Sequence, residues 1–260
     1  MPSSNPAFRG IDKVVAGQAA PNAEYLQQMY DQPAYAGPRT PARLLTLDDV
    51  IAKTATVLGV AVIAGGLTAY FKAYTLMLPA LVVGLVLSMI VIFKRSTNPA
   101  LILSYAAAEG VVLGGISGWI ESLSPNYHGI ALQAIVGTLG VFGGMLFVYK
   151  TGAIRVTPKF TKILLGAMIG VVVLMLFNMV AAWLFHFDTG LRSGGGLAIV
   201  FSLVCIVIAA MSFLLDFDQI DKALKIGAPA RFAWYFAIGL MVTLVWLYLE
   251  ILRLLSYFRQ

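Results

Sequence analysis

Cysteine, histidine and charge are all scarce in this 260-residue sequence. A single cysteine, Cys205, excludes an intrachain disulfide and a thiolate metal cluster. Two histidines, His128 and His186, are too few soft ligands for a zinc or haem site. Only 12% of the residues are charged, whereas 60% are hydrophobic and the mean hydropathy is +0.86. No soluble globular domain needs that much apolar surface, and apolar runs of 18 residues or more read as membrane spans. A net charge of +6 and a pI near 9.4 do not point to nucleic acid here. The cations lie between the apolar runs, the pattern of topology signals, and are not gathered on one stripe.

What is present begins with a proline-rich stretch. Residues 1–49 hold six of the eleven prolines and show no helix or strand period. The expectation is a disordered cytoplasmic tail, since such a segment buries too little to order itself. It lacks the apolar core of a cleaved secretion signal, so the first span is expected to serve as an uncleaved anchor. Tyr25, Tyr30 and Tyr35 suit partner binding in type, but their spacing gives no reason to prefer it.

Seven apolar runs follow, at about 51–71, 76–93, 99–120, 129–149, 161–185, 194–217 and 231–256. Each is long enough to cross about 30 Å of hydrocarbon as a helix. The fold expected over residues 50–258 is therefore an all-α membrane protein, a seven-transmembrane helix bundle with antiparallel neighbours. The absence of an internal repeat weakens an inverted-repeat transporter reading. With the tail inside, fourteen of the eighteen Lys and Arg residues fall on cytoplasmic segments, which places the C-terminus outside. Glycines recur every four residues at Gly110, Gly114 and Gly118, at Gly140 and Gly144, and at Gly166 and Gly170. That spacing lets helix backbones approach closely, most simply within one chain. Trp119, Trp183, Trp234 and Trp246 read as interfacial anchors.

Few ionisable groups lie inside the runs, and an intramembrane acid is a functional-site hypothesis by default. Some twenty apolar residues lead into Asp216, which Asp218 and Asp221 closely follow. Asp218 and Asp221 each have a lysine four residues on, Lys222 and Lys225, the spacing of a solvated helix end. Asp216 has none, and a two-residue step turns it about 200° from Asp218. At the helical rise Glu109 lies about 14 Å into the third run, and Asp216 about 5–12 Å from the inner end of the sixth. They can share a level. Glu250, about 28 Å along the seventh run, is expected near the outer surface, meeting water or Arg253. Two carboxylates in one dry pocket resist double ionisation and can act as a proton sensor. Their ionised oxygens also suit a hard cation, so Asp216 and Glu109 are candidate transient calcium ligands. Lys94 and Arg95, at the inner end of the second run, are the candidate latch on Asp216.

The tetrad Gly115-Ile116-Ser117-Gly118 resembles the serine motif of intramembrane rhomboid proteases. A serine nucleophile needs a base within hydrogen-bond reach, and no run carries a histidine at a comparable depth. The tetrad also falls inside the glycine seam, so no catalytic residue is expected and the chain reads as no enzyme.

The chain also resembles the Bax inhibitor family over about residues 50–258. Asp216-Phe217-Asp218-Gln219-Ile220 is similar to the family's Asp-x-x-Gln-Ile at the close of the sixth helix. Glu109-Gly110-x-x-Leu113 looks like the Glu-Gly-x-x-Leu of many bacterial members. Ser4-Asn5-Pro6-Ala7-Phe8 is similar to the start of an actinobacterial branch. The family's last helix ends near Leu-Leu-Arg-Leu-Leu; aligning that arginine with Arg253 puts Thr243 where a second aspartate is expected. The resemblance implies a pH-gated calcium leak with a central last helix and two aspartates sharing a proton, in a bacterial inner (cell) membrane. Thr243 cannot ionise, so Glu109 or another acid must take the partner's role if the gate is kept. The reading this supports is a weak calcium or cation leak modulated at Asp216, with no cofactor, with lipid and the permeant ion as partners, and with no nucleic acid. The alternative is a non-conducting regulatory protein that binds membrane proteases or other membrane partners through its glycine seams and tail.

Overall fold

In the computed structural model, residues 43–185, 190–191 and 194–259 are described, together with Gln27. The rest of the stretch 1–42, with its three tyrosines and the Ser4–Phe8 start, lies outside the described residues, as do His186, Arg192 and Gln260.

Helix α1 (Leu47–Tyr70) starts at a capping box. Thr46 Oγ1 accepts the Asp49 N–H and the Asp49 carboxylate accepts the Thr46 N–H, each at 3.2 Å. This reciprocal pair satisfies two backbone donors that a helix start leaves open. Four residues of the expected tail, Arg43 to Thr46, belong to this entry. Leu45 is buried, its N–H donates to the Ala228 carbonyl at 2.7 Å, and Ala230 N–H donates to the Arg43 carbonyl at 2.8 Å.

A short 3-10 turn leads to α2 (Met77–Lys94), which stops at Arg95 in the left-handed conformation. Asn98 caps α3 (Pro99–Leu123), where Pro99 occupies a first-turn position that needs no N–H. Gly129 and Gly152, both at positive φ, bracket α4 (Ile130–Thr151). Then come α5 (Pro158–Phe185), α6 (Gly196–Lys225) and α7 (Phe232–Phe258). All seven are long and apolar enough to cross a membrane, which bears out the seven-helix expectation. The sixth departs from its expected end at residue 217. It runs eight residues further, because the Asp218–Lys222 and Asp221–Lys225 ion pairs at 2.5 and 2.6 Å support a polar continuation.

The last helix is central. In the most apolar stretch of α7, 56% of residues are buried, against 11% in α5. Apolarity alone does not set this order, since α5 has the higher mean hydropathy of the two and its apolar faces are left to lipid. Ala233, Leu240, Leu244 and Leu247 meet Phe213, Phe217 and Ile220 of α6. Ala237, Ile238, Met241 and Val245 meet Val57 and Ala61 of α1 and Ile102 and Tyr105 of α3. Tyr248 and Leu252 meet Ile130 and Ala134 of α4. Helix α2 leans on α3 and α5 leans on α6, both at the periphery.

Glycine decides the closest approach. A Cβ on Gly110 would lie 2.8 Å from Ala61 Cα, and one on Gly114 would lie 2.5 Å from the Gly65 carbonyl carbon. The third-run seam is thus the α1–α3 contact, within the chain. Gly140, Gly144, Gly166 and Gly170 have nothing within 4 Å of an added Cβ, so among the described residues those two seams hold no neighbouring helix. Of the tryptophans, Trp119 and Trp183 are exposed, Trp234 lies under the Lys53 ammonium, and Trp246 packs against the core.

Candidate functional site

Asp216 sits within α6, nine residues before its last residue, Lys225, hence about 13 Å from that end at the helical rise. The residues beside it, Phe213, Phe217 and Ile220, are core. Its carboxylate meets α7. Thr243 Oγ1 donates to Asp216 Oδ2 at 2.8 Å, the one cross-helix bond described at this carboxylate. The same hydroxyl lies 3.4 Å from the Gly239 carbonyl, one turn back on α7. Thr243 therefore holds the place expected of a second acid, and does so as a hydrogen-bond donor.

Beside this bond lies a cavity of about 50 Å³ whose polar lining comes from Asp216, Gln219 and Tyr235. Gly239 forms part of its wall, with nothing within 4 Å of where a Cβ would be. Tyr235, Gly239 and Thr243 are spaced by four, so they form one stripe on α7 facing Asp216. The spacing of four among small and polar groups is the sequence signal that marks this stripe. Nothing in the sequence said which helix it would face.

The structure does not bring Glu109 to Asp216. Glu109 lies ten residues into α3, about 15 Å from its start, so the expected level is right. Its azimuth is not. The Glu109 carboxylate faces α2, where a Cβ on Gly84 would be 3.4 Å from Oε2, and it does not line the Asp216 cavity. The shared pocket and the joint calcium site expected of Asp216 and Glu109 are therefore not formed. Among the described residues no group of three or more His, Cys, Asp or Glu side chains could hold a metal ion.

Lys94 and Arg95 are exposed, and no ion pair joins either of them to Asp216. The expected latch is not closed here, because Arg95 leaves the helix in the left-handed conformation at the periphery of the bundle. Asp218, like Asp221, is engaged by its own helix's lysine. Glu250 is not in outer water: it is 1% exposed, and Arg253 Nη1 bonds both its oxygens at 2.8 and 3.0 Å. The i,i+3 partner matches the expectation; the burial does not.

At the opposite end from Asp216, α7 is fastened to its neighbours at two places. Ser117 Oγ and Tyr248 Oη lie 2.6 Å apart, and Ser117 also donates to the Leu113 carbonyl. The serine of the protease-like tetrad thus spends its hydroxyl on a link between α3 and α7. Beyond the Glu250–Arg253 pair, Arg259 donates to the carbonyls of Asn126 and His128 and to Gln133 Oε1 at 2.7–3.0 Å. These clamps could not be read from spacing, since the partners lie more than a hundred residues apart.

A family model described as Bax inhibitor 1 like matches residues 5–260. No curated protein matches the chain. The match runs from the proline-rich stretch through the last clamp on α7 and includes every span, so this multi-pass membrane protein belongs to the Bax inhibitor 1 like family.

Proposed function

We propose that this protein is a pH-modulated leak for calcium or another cation, gated where Asp216 of α6 meets Thr243 of α7. The observation that carries the reading is a carboxylate within a membrane helix, bonded to the central helix beside a small polar cavity. Thr243 donates to Asp216 when that group is ionised. When Asp216 binds a proton it becomes a donor itself, and the Thr243 hydroxyl is released toward the Gly239 carbonyl. One proton thereby rewrites the α6–α7 link, a two-state element of the kind local charge can bias. One carboxylate, one hydroxyl and one amide fall far short of the six to eight oxygens of a resident calcium site. Such a donor set suits a passing ion and not a resident one, in keeping with a weak leak. A cavity of about 50 Å³ is of the size that admits a water molecule or two. The lysine and arginine bias supports a tail and Asp216 end in the cytoplasm, the resemblance to bacterial members supports a bacterial cell membrane, and no residue is given a catalytic role.

The test is calcium entry into dye-loaded proteoliposomes from about pH 5 to 8. Wild-type protein is expected to conduct with a pH-dependent rate, and Asp216→Asn to flatten that dependence while the protein still folds. Glu109→Gln is expected to leave the profile in place, because Glu109 faces Gly84 on α2. No flux at any pH ends the leak reading. A wild-type profile in Asp216→Asn removes Asp216 as the sensor.

A further inference from the structure

The α4–α5 connection is a concentration of positive charge with no ion pair among the described residues. Lys150, Arg155, Lys159 and Lys162 fall within thirteen residues and are all exposed. The sequence from 122 to 187 contains no Asp or Glu at all. Most other described cations at this end of the bundle are engaged. Lys222 and Lys225 pair with Asp218 and Asp221, Arg43 with Asp49, and Lys53 lies over Trp234.

The surface below these charges is apolar and open. On α4, Lys150 continues a stripe with Phe147, Gly143 and Gly140, all exposed. On α5, Lys159 and Lys162 continue a stripe with Gly166 and Ile169, also exposed. The glycines of both stripes leave smooth, unoccupied surface, with nothing within 4 Å of an added Cβ at Gly140, Gly143 or Gly166. Although consecutive in the chain, α4 packs mainly on α7 and α5 on α6, and the two touch each other slightly at most. Two helices that carry cations at one end and bare apolar faces beneath reproduce the profile of a phospholipid.

We propose that this corner binds an anionic phospholipid, its phosphate held by Lys150, Arg155, Lys159 and Lys162 and its acyl chains lying along the open faces of α4 and α5. Charge complementarity selects the headgroup: four cations with no acid nearby favour a net negative lipid over a zwitterionic one. The thirteen-residue span lets them converge from two helix ends and the loop between. Lys159 and Lys162, three apart, share one face of the first turns of α5. The inference concerns binding alone and is independent of whether the protein conducts.

The test uses the full chain in detergent, titrated with phosphatidylglycerol or phosphatidylcholine, with bound lipid counted by native mass spectrometry. Wild-type protein is expected to retain phosphatidylglycerol in preference to phosphatidylcholine. Arg155→Gln/Lys159→Gln/Lys162→Gln is expected to weaken that retention by about fivefold for each charge removed. Arg155→Lys, which keeps the charge, is expected to bind as wild type. Lys94→Gln/Arg95→Gln, which removes two exposed cations elsewhere at the same end, is also expected to bind as wild type. The proposal is overturned if the triple variant retains phosphatidylglycerol undiminished, if the Lys94/Arg95 variant loses as much per charge, or if wild-type protein does not distinguish the two lipids.

Discussion

Replacing Gly114 with alanine puts a methyl group into the contact between α3 and α1. The added Cβ would lie 2.5 Å from the Gly65 carbonyl carbon and closer still to the Gly65 oxygen and Cα, whereas ordinary contact begins at 3.4 Å, so the helices must part by more than about 0.9 Å (3.4 − 2.5). Both sides of the clash are helix backbone, and no side chain can rotate to relieve it. Overpacking of this kind costs about 1–3 kcal/mol, and an unyielding neighbour puts Gly114 at the upper end. Alanine recovers about 1 kcal/mol through its higher helix propensity, leaving a net loss of about 2 kcal/mol. At about 2–4 °C per kcal/mol for a chain of this size, the Tm falls by about 4–8 °C. Gly166→Ala gains the same propensity and meets nothing within 4 Å, so its Tm is expected to rise by about 2–4 °C. The assay is thermal unfolding of purified protein in detergent, followed by tryptophan fluorescence and checked by size exclusion. Gly114→Ala melting at or above the wild-type temperature, or Gly166→Ala melting as far below it, would refute the assignment of these seams.

Arg253→Ala strands Glu250, which is 1% exposed, without its partner, and is expected to cost about 3–5 kcal/mol. Replacing both with Gln and Met should return most of that loss, and a single variant with wild-type Tm denies the pair any structural weight. Tyr248→Phe removes the buried bond to Ser117 and is expected to cost about 1 kcal/mol, read as a Tm shift. Full stability in Tyr248→Phe would show that Ser117 is satisfied by the Leu113 carbonyl alone. For orientation, single cysteines at Asn126, Val156 and Gly190 in a Cys205→Ser background are expected to label from outside at 126 and 190 only; labelling of 156 in intact cells reverses the topology.

How much of this was legible in the sequence follows from the range of the forces involved. Seven spans are written in hydropathy alone, because a helix must satisfy its backbone hydrogen bonds internally wherever lipid surrounds it. The Asp218–Lys222 and Asp221–Lys225 pairs, the Arg253 partner of Glu250 and the common level of Asp216 and Glu109 also follow from spacing along single helices. Hydropathy ends eight residues before α6 does, because the ion-paired last turns are polar yet helical. Rotation about each axis belongs to tertiary structure. It turns Asp216 onto Thr243 and Glu109 onto Gly84, although both acids sit at similar depth. The same holds for the glycines: spacing of four marks three seams alike, yet α1 fills the seam with Gly110 and Gly114, while no described helix fills those of α4 and α5. Sequence period determines which residues share a face. Which face meets which helix is decided only when α7 is enclosed by α1, α3, α4 and α6, since only then do shape and burial distinguish one rotation from another.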